Sequence, residues 1–356
     1  MTDLLSLLPS EAHTTLVDWL AARGEPVYRV RQILPRLWQR PVAAWSDASD
    51  LPAALRSSLE AGFPFPRLVL AARQVSTDGT EKYLWRLPDG EAIESVLIPE
   101  GKRRTLCISS QVGCALGCVF CATGRMGWRR NLGAAEIACQ VREVEVQGLG
   151  ARPTNVVFMG MGEPLLNWEA VDRALTLLNH PDALGIGARH ITVSTVGILP
   201  SLAHLARRPE QFRLALSLHA STPETRRALM PIEKKYALPD VLKALGTWRR
   251  RVTLEYVLIA DRNDSIAAAD ALAKLAKPLA AHVNLLPLHP GGAADLTPSS
   301  HARMLAFERR LKGHGVEAVL RKSRGLDISA ACGQLRVELE GGPRRKVGAE
   351  QHAHVD

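Results

Sequence analysis

QVGCALGCVFCATGRMGW, residues 111–128, places three of the chain's six cysteines within eight positions: Cys114, Cys118 and Cys121. Glycines flank them, and Phe120 stands between the last two. Just before this stretch, residues 104–109 (RTLCIS) have the texture of a strand. Just after it, residues 134–147 read as a helix. The connection between them therefore carries three thiols at a C-x3-C-x2-C spacing, and a loop of that length can turn three thiolates toward one centre. Structural zinc takes four protein ligands, often as two short-spaced pairs, and no second pair exists here. Cys107 lies within the strand and Cys332 is remote. Cys139 falls in a helical run, where a lone cysteine serves as a small core residue. Three ligands suit a four-iron cluster with one iron left open, where a small molecule can be held and reduced.

Outward from this loop the strand–helix alternation continues. Apolar, β-rich runs recur at 155–159, 190–195, 212–219, 252–259 and 282–288. Helical stretches at 168–179, 199–207, 238–250 and 266–277 separate them, and a helix near 300–312 precedes another strand-like run at 316–321. Such alternation implies parallel strands with right-handed crossovers. Six units in about 220 residues predict an α/β fold, a partial (βα)6 TIM-like barrel short of the full eight. A doubly wound sheet is the rival arrangement.

Upstream, residues 67–99 hold three strand-like runs separated by Asp78-Gly79 and Asp89-Gly90 turns, a short antiparallel β extension. Residues 1–65 read as a small helical domain, with periodic runs from Pro9 to about Ala22, from Pro26 through VYRVRQILPRLWQR, and from Leu51 to Ala61. The middle run mixes Arg29, Arg31, Arg36 and Arg40 with Tyr28 and Trp38, a combination suited to gripping a nucleic-acid backbone or to an ordinary solvated basic face. The expected division is 1–65, 66–100, a core at 101–340, and a polar tail, GGPRRKVGAEQHAHVD at 341–356, expected to be mobile.

Composition narrows the function classes. Hydrophobic residues make up 46% of 356 and charged residues 23%, enough for a packed core. The formal net charge of +9 favours an anionic partner, most simply nucleic acid. No apolar run approaches the roughly 20 residues of a membrane-spanning helix. The opening MTDLLSLLPSEAHTTL carries acids and no basic leader, so no secretory signal and a cytoplasmic location are expected.

Functional groups of parallel barrels gather at the C-terminal ends of the strands. Unusual polar residues occupy those ends here: Gly160-Met161-Gly162-Glu163-Pro164, Ser194, Ser217-Leu218-His219, and Asn284 through His289. With the cysteine loop and its aromatic, they resemble the radical S-adenosylmethionine (radical SAM) superfamily. That resemblance implies that Cys114, Cys118 and Cys121 hold one [4Fe-4S] cluster. It also implies that Gly162 and Glu163 lie at the methionine amino group, and that Ser194, Ser217, Leu218 and His219 contact the rest of S-adenosyl-L-methionine (SAM).

A narrower resemblance rests on SRGLDISAACGQL (323–335) together with VGCALGCVFCATG, MGMGEPLLN, ITVSTVGILP, LALSLHAST and ESVLIPEG. These resemble the RlmN/Cfr family of radical SAM RNA methyltransferases. The resemblance implies two SAM per turnover: one methylates Cys332, and the other yields a 5′-deoxyadenosyl radical that takes hydrogen from that methyl group. The resulting carbon radical adds to an adenine ring carbon, which as an sp2 centre is not open to a polar methyl donor. Cys107 would then attack the Cys332 sulfur and leave a transient Cys107–Cys332 disulfide. Proton removal falls to Glu94 or to Cys107. On a strand Glu94 shares a face with Val96 and Ile98, where an acid can have a raised pKa, although a salt-bridged strand glutamate reads the same way. His289 stands where the family usually carries an asparagine that contacts SAM, a departure that makes the chain a divergent member.

The implied substrate is rRNA and/or tRNA, modified at adenine carbon 2, with carbon 8 as the alternative. Arg125, Arg129 and Arg130, with Trp128 among them, are placed to guide phosphates. An external one-electron reductant, no membrane and a monomer are expected. Two competing readings are a radical SAM enzyme on a peptide or small molecule, and a non-enzymatic metal-bound RNA-binding protein.

Overall fold

The computed structural model describes residues 3–65, 68–331 and 333–335. The expectations placed on Cys332 and on the tail 341–356 fall outside the described residues. The chain opens with α1 (Pro9–Ala21), α2 (Val30–Ile33) and α3 (Ala53–Gly62). Pro9 suits the first turn of α1, where its missing N–H has no partner to lose, and Glu11 accepts the Leu8 N–H at 2.8 Å. The run after Pro26, expected as one helix, is broken instead into α2 flanked by single 3-10 turns at Val27–Arg29 and Leu34–Arg36. Pro35 lies in the second of these turns, and its ring and missing N–H oppose a continuous helix.

Three antiparallel strands follow, β1 (Val69–Val75), β2 (Glu81–Arg86) and β3 (Ala92–Glu100), and β4 (Arg103–Cys107) joins them. β4 is the turning point of the sheet: it is antiparallel to β3 on one side and parallel to β7 on the other. Between β4 and β7 come β5 (Gln111–Gly113), α4 (Ala122–Met126), β6 (Trp128–Asn131) and α5 (Ala134–Val146). The alternating part then runs β7 (Asn155–Phe158), α6 (Trp168–Asn179), β8 (Ile191–Thr195), α7 (Leu199–Arg207), β9 (Arg213–Ser217), α8 (Pro223–Leu229), α9 (Leu238–Gly246) and β10 (Thr253–Leu258). It ends with α10 (Ile266–Ala276), β11 (His282–Pro287), α11 (His301–Gly313) and β12 (Ala318–Leu320).

One ten-stranded sheet results, in the order β1-β2-β3-β4-β7-β8-β9-β10-β11-β12. Every pair from β4 onward is parallel. The six expected parallel strands are present, and β12 adds a seventh by pairing with β11. The order is linear, with β1 and β12 as edges, so the barrel is open. The β5–β6 hairpin, a separate two-stranded sheet that brackets the cysteine loop, has strands too short to show in a periodicity.

The N-terminal helices and the barrel share one buried core that extends from Leu4 to Leu335. Arg142 of α5, 1% exposed, joins them by donating to the carbonyls of Leu37 and Val42. A buried guanidinium needs several acceptors to offset its lost hydration, and these carbonyls with Glu143 supply them.

Candidate active site

Short-range contacts build the cysteine loop. The Cys114 N–H donates to the Gly127 carbonyl at 2.9 Å, and the Cys121 N–H to the Cys118 carbonyl at 3.1 Å. Gly113 is required where the hairpin closes: at φ +74° a Cβ there would lie 1.9 Å from the Gly127 oxygen. Cys121 then sits at the start of α4. The middle of the loop leans on its neighbours, with Val119 donating to Leu229 and accepting from Ala293.

Cys114 and Cys118 are buried and Cys121 is half-buried. Burial, followed by the charges of Glu163 and Cys121, pushes the Cys114 thiol up to about 12. Burial and the other two cysteines push Cys118 up as well, against the opposing charge of Arg226. Two buried thiols that resist ionisation on their own, Cys114 and Cys118, call for a bound cation to make thiolates of them. Among the described residues, no three His, Cys, Asp or Glu side chains stand at the spacing of a single-ion site. Three cysteines of one loop are a donor set that an iron–sulfur core with one open iron takes.

The rim beside the loop carries the residues singled out at the strand ends. Glu163 is buried, and burial raises its pKa to about 7, against the side chain of Thr195 and the N–H groups of Val196 and Leu165. Its carboxylate accepts from Leu165 and Val196, both at 3.0 Å, and its own N–H donates to Gln111 Oε1 at 2.9 Å. The acid thus ties the end of β7 to the end of β8. Gly162 has φ +97°, and a Cβ there would meet the Gln111 side chain at 2.6 Å, so the backbone passes where no side chain fits.

Ser194 and Ser217, at the ends of β8 and β9, approach each other Oγ to Oγ at 3.4 Å. Leu218 is wholly buried and donates its N–H to the Glu255 carbonyl. His219, at φ +55°, accepts the Val257 N–H on Nδ1 at 3.1 Å and presents its ring edge-on to Phe120, 4.8 Å between centroids. Burial, then Arg226, drives its pKa down to about 3, so the ring is neutral and carries its proton on Nε2. His289 shares a 2.9 Å contact between Nε2 and Ser323 Oγ, and burial lowers its pKa.

On the other side of the loop, the register pairs Val96 with Cys107. Glu94 lies two residues from Val96, so Glu94 and Cys107 share one face of the sheet. Lys82 Nζ stands 3.3 Å from Glu94 Oε1, and the Glu94 carbonyl accepts from Ser109 Oγ at 2.6 Å. The glutamate on an apolar face therefore has a cation against it.

The segments flanking Cys332 pack against the cluster loop. Ala122 N–H donates to the Gly333 carbonyl at 2.8 Å, and Thr123 Oγ1 to the Leu335 carbonyl at 2.6 Å. Gln334 bridges, accepting from Ala331 N–H and donating to the Pro290 carbonyl. No disulfide joins two described cysteines.

Two features differ from the reading of the sequence or are absent from it. Arg130 is held by Asp89 and Glu136 and Arg125 donates to the Gly292 carbonyl, leaving the exposed Arg129 and the half-exposed Trp128 of that set toward solvent. Arg226 on α8 is fully buried beneath the rim, paired with Glu233 and donating to the Val196 carbonyl at 2.7 Å. In the sequence it looks like one more surface arginine of a polar helix.

Residues 108–273 match a family described as the radical SAM superfamily. A protein of Gemmatimonas aurantiaca named a probable dual-specificity RNA methyltransferase RlmN is 54% identical over 355 residues, covering 100% of this chain and 98% of its own. The chain belongs to the RlmN family of radical SAM methyltransferases. Another RlmN, from Syntrophobacter fumaroxidans, is 43% identical over 91% of this chain and 96% of its own. A crystal structure of a radical SAM methyltransferase from Sphaerobacter thermophilus superposes with a TM-score of 0.88 at 43% identity, over 94% of this chain and 99% of that one. This RlmN-family chain is an enzyme, a SAM-dependent methyltransferase of the radical SAM class, with the α/β architecture that its strand–helix alternation implied. Among the described residues, no helix is long and apolar enough to cross a membrane.

Proposed function

We propose that the chain methylates carbon 2 of an adenine in rRNA and/or tRNA, through a methyl group carried on Cys332, using two SAM per turnover. The observation that carries this reading is that Gly333 and Leu335, on the far side of Cys332, are hydrogen-bonded to Ala122 and Thr123, directly behind Cys121. The segment that follows Cys332 is thus held to the cluster loop, which supports a reading in which that cysteine and the cluster act together. The net charge of +9 supports an anionic substrate, and the relatives are named RNA methyltransferases. The enzyme works as a cytoplasmic monomer supplied by an external one-electron reductant.

In this reading Cys114, Cys118 and Cys121 hold one [4Fe-4S] cluster. When bound, the cluster supplies the electron that cleaves SAM into methionine and a 5′-deoxyadenosyl radical. Around SAM, the backbone at Gly162 and Glu163 receives the methionine amino group. Ser194, Ser217, the backbone of Leu218, the Nε2–H of His219, and His289 provide polar contacts along the rest of the molecule. Cys332 first takes a methyl group on sulfur by displacement, as a thiolate nucleophile does. After the carbon has joined the base and the adduct has passed its odd electron to the external one-electron carrier, the Cys107 thiolate attacks the Cys332 sulfur. An S–S bond forms, the S–C bond breaks with its electron pair going to carbon, and that carbon takes a proton to become the methyl group. Glu94 takes the ring proton. It shares a face with Cys107, and Lys82 stands beside it with the charge that stabilises a carboxylate. Cys107 is the competing base. A flipped-out adenine is the form of substrate that a recessed rim can admit.

Anaerobically reconstituted enzyme, given SAM, a reductant and unmodified rRNA or tRNA, should yield 2-methyladenosine on digestion and mass spectrometry. Cys332→Ala should yield none. A cluster-replete enzyme that leaves every adenosine unmodified would overturn the reading, and 8-methyladenosine would overturn the carbon assignment.

A further inference from the structure

The turn between β1 and β2, Ser76-Thr77-Asp78-Gly79-Thr80, has no part in the chemistry above, yet it is locked to a segment 251 residues away in the chain. The Asp327 carboxylate accepts from Ser76 Oγ at 2.6 Å and from the Thr77 N–H at 3.1 Å. In return, Asp78 Oδ2 accepts the Gly325 N–H at 3.0 Å. Each segment thus gives one carboxylate to the other's donors. The Arg324 guanidinium lies 4.0 Å from Asp78 and offsets the two like charges.

Both partners of this clasp are stiff. Asp78 Oδ1 is held by the Thr80 N–H at 2.9 Å, and the Ser76 N–H closes the turn on the Thr80 carbonyl at 2.8 Å. Gly325 has φ +62°, and a Cβ there would press on Ala330 at 2.8 Å and on Thr80 at 3.0 Å. From Gly325 the chain makes one 3-10 turn, Leu326–Ile328, and the Ala330 N–H returns to the Gly325 carbonyl at 2.9 Å. Two residues further on is Cys332.

The clasp is also continuous with the proposed base. β2 begins at Glu81, right after the turn, and carries Lys82, which contacts Glu94 on β3. β3 in turn is in register with β4 and Cys107. One small sheet therefore links the clasp, Glu94 and Cys107.

We propose that the β1–β2 turn positions the loop that carries Cys332, with Asp78 and Asp327 as positioning residues. The proposal rests on the reading of Cys332 as methyl carrier. Such a carrier has to meet a methyl donor, a hydrogen-abstracting radical, the base and the resolving thiol in succession. Behind Cys332 the loop is fixed at α4, and ahead of it the Ser323–His289 contact lies nine residues away, so the clasp at Gly325 and Asp327 is the nearer fixed point that limits the freedom of the cysteine. Misplacement by about 1 Å can cost on the order of 100-fold in such steps. The expected defect is uncoupling, in which SAM is cleaved but the methyl group does not arrive.

The test uses full-length, cluster-loaded Asp78→Ala, Asp327→Ala and Asp78→Asn. The readouts are 5′-deoxyadenosine formed per methyl group delivered to RNA, iron content, and hydrogen exchange of residues 325–331. The alanine variants should raise the ratio roughly tenfold or more with iron content unchanged, and speed exchange in that segment but not across the barrel strands. Asp78→Asn keeps one of the two oxygens that accept the Thr80 and Gly325 N–H groups and should give a ratio between the parent and Asp78→Ala. Parental ratios in both alanine variants would overturn the proposal. So would iron loss in step with methylation, or exchange accelerated uniformly across the fold, because either marks a merely structural role. If the alanine variants do not fold, Asp327→Asn, which retains one of two acceptors, should give an intermediate ratio, and a parental one would overturn the proposal. Should Cys332→Ala still deliver methyl groups, the carrier reading fails first and the clasp has nothing to position.

Discussion

Two loops meet at the same rim and are built in opposite ways. The cluster loop, residues 114–121, is closed at its ends by partners within residues 111–131, with Cys114 on Gly127, Cys121 on Cys118, and a hairpin whose strands begin at Gln111 and Trp128; among the described residues only Val119 reaches out, to Leu229 and Ala293. The loop from Ser323 to Leu335 holds one short turn of its own and takes its partners from Ser76–Asp78, Ala122–Thr123 and His289–Pro290. A set of three ligands converging on one cofactor needs a fixed local shape, which contiguous residues can encode. A segment that serves several partners in turn is held by contacts that lie elsewhere, which fix its place relative to each of them.

The largest effect expected is on the local side. Cys118→Ala should take iron and sulfide content, and methylation with them, to background, read by metal analysis and visible absorbance. A variant that keeps a full cluster would break the claim that these three thiols hold it. Next is the floor beneath that loop: Arg226→Met strands Glu233 as an unpaired buried charge and should cost about 3–5 kcal/mol in urea unfolding of the cluster-free chain. A cost under about 1 kcal/mol would show that the loop does not lean on this pair.

Below both loops lies Glu255, whose carbonyl accepts from Leu218 and His219 and whose carboxylate accepts from Asn284 at 2.9 Å. Burial raises its pKa to about 7, opposed by Asn284 and by Arg321. The folded chain then holds a proton that the unfolded chain releases near 4.5. This contribution to stability is fully present below that value, is lost as pH rises toward 7, and is flat above. Glu255→Gln should remove that slope and gain up to roughly 3 kcal/mol at pH 8. An unchanged slope would assign the pH dependence elsewhere. The smallest effect belongs to the distant loop: Thr123→Val strands the Leu335 carbonyl and should cost about 1–2 kcal/mol. Because that loop is held at several points, methylation should fall more than stability, whereas equal losses would erase the contrast between the two loops.

The parallel core was readable because most of its strands are apolar runs buried over most of their length and each helix keeps its own period, signals that survive without neighbours. The end of the first strand was less so: the ladder stops at Cys107, although the Ile108 N–H still donates to the Val157 carbonyl. The helix expected through Pro35 failed because one proline outweighs a favourable run of side chains. At the site, Cys114, Cys118 and Cys121 were legible from spacing. The carboxylate of Glu163 was not, since its use as a tie between β7 and β8 depends on how the two strand ends lie. Arg130 read as free to meet phosphate, and Asp89, 41 residues away in the chain, occupies it together with Glu136.

By itself the sequence determined the alternation that makes an open parallel barrel, the three-thiol loop and the strand ends at which polar residues collect. All of these are spacings over a few residues, imposed by backbone periodicity. Only the tertiary structure decided that Asp78 and Asp327 clasp two distant turns, that Arg226 lies buried under the rim, and that Glu94 shares a face with Cys107 beside Lys82. Those meetings follow from strand order and register, which are properties of the whole sheet and leave no mark on any short stretch of chain.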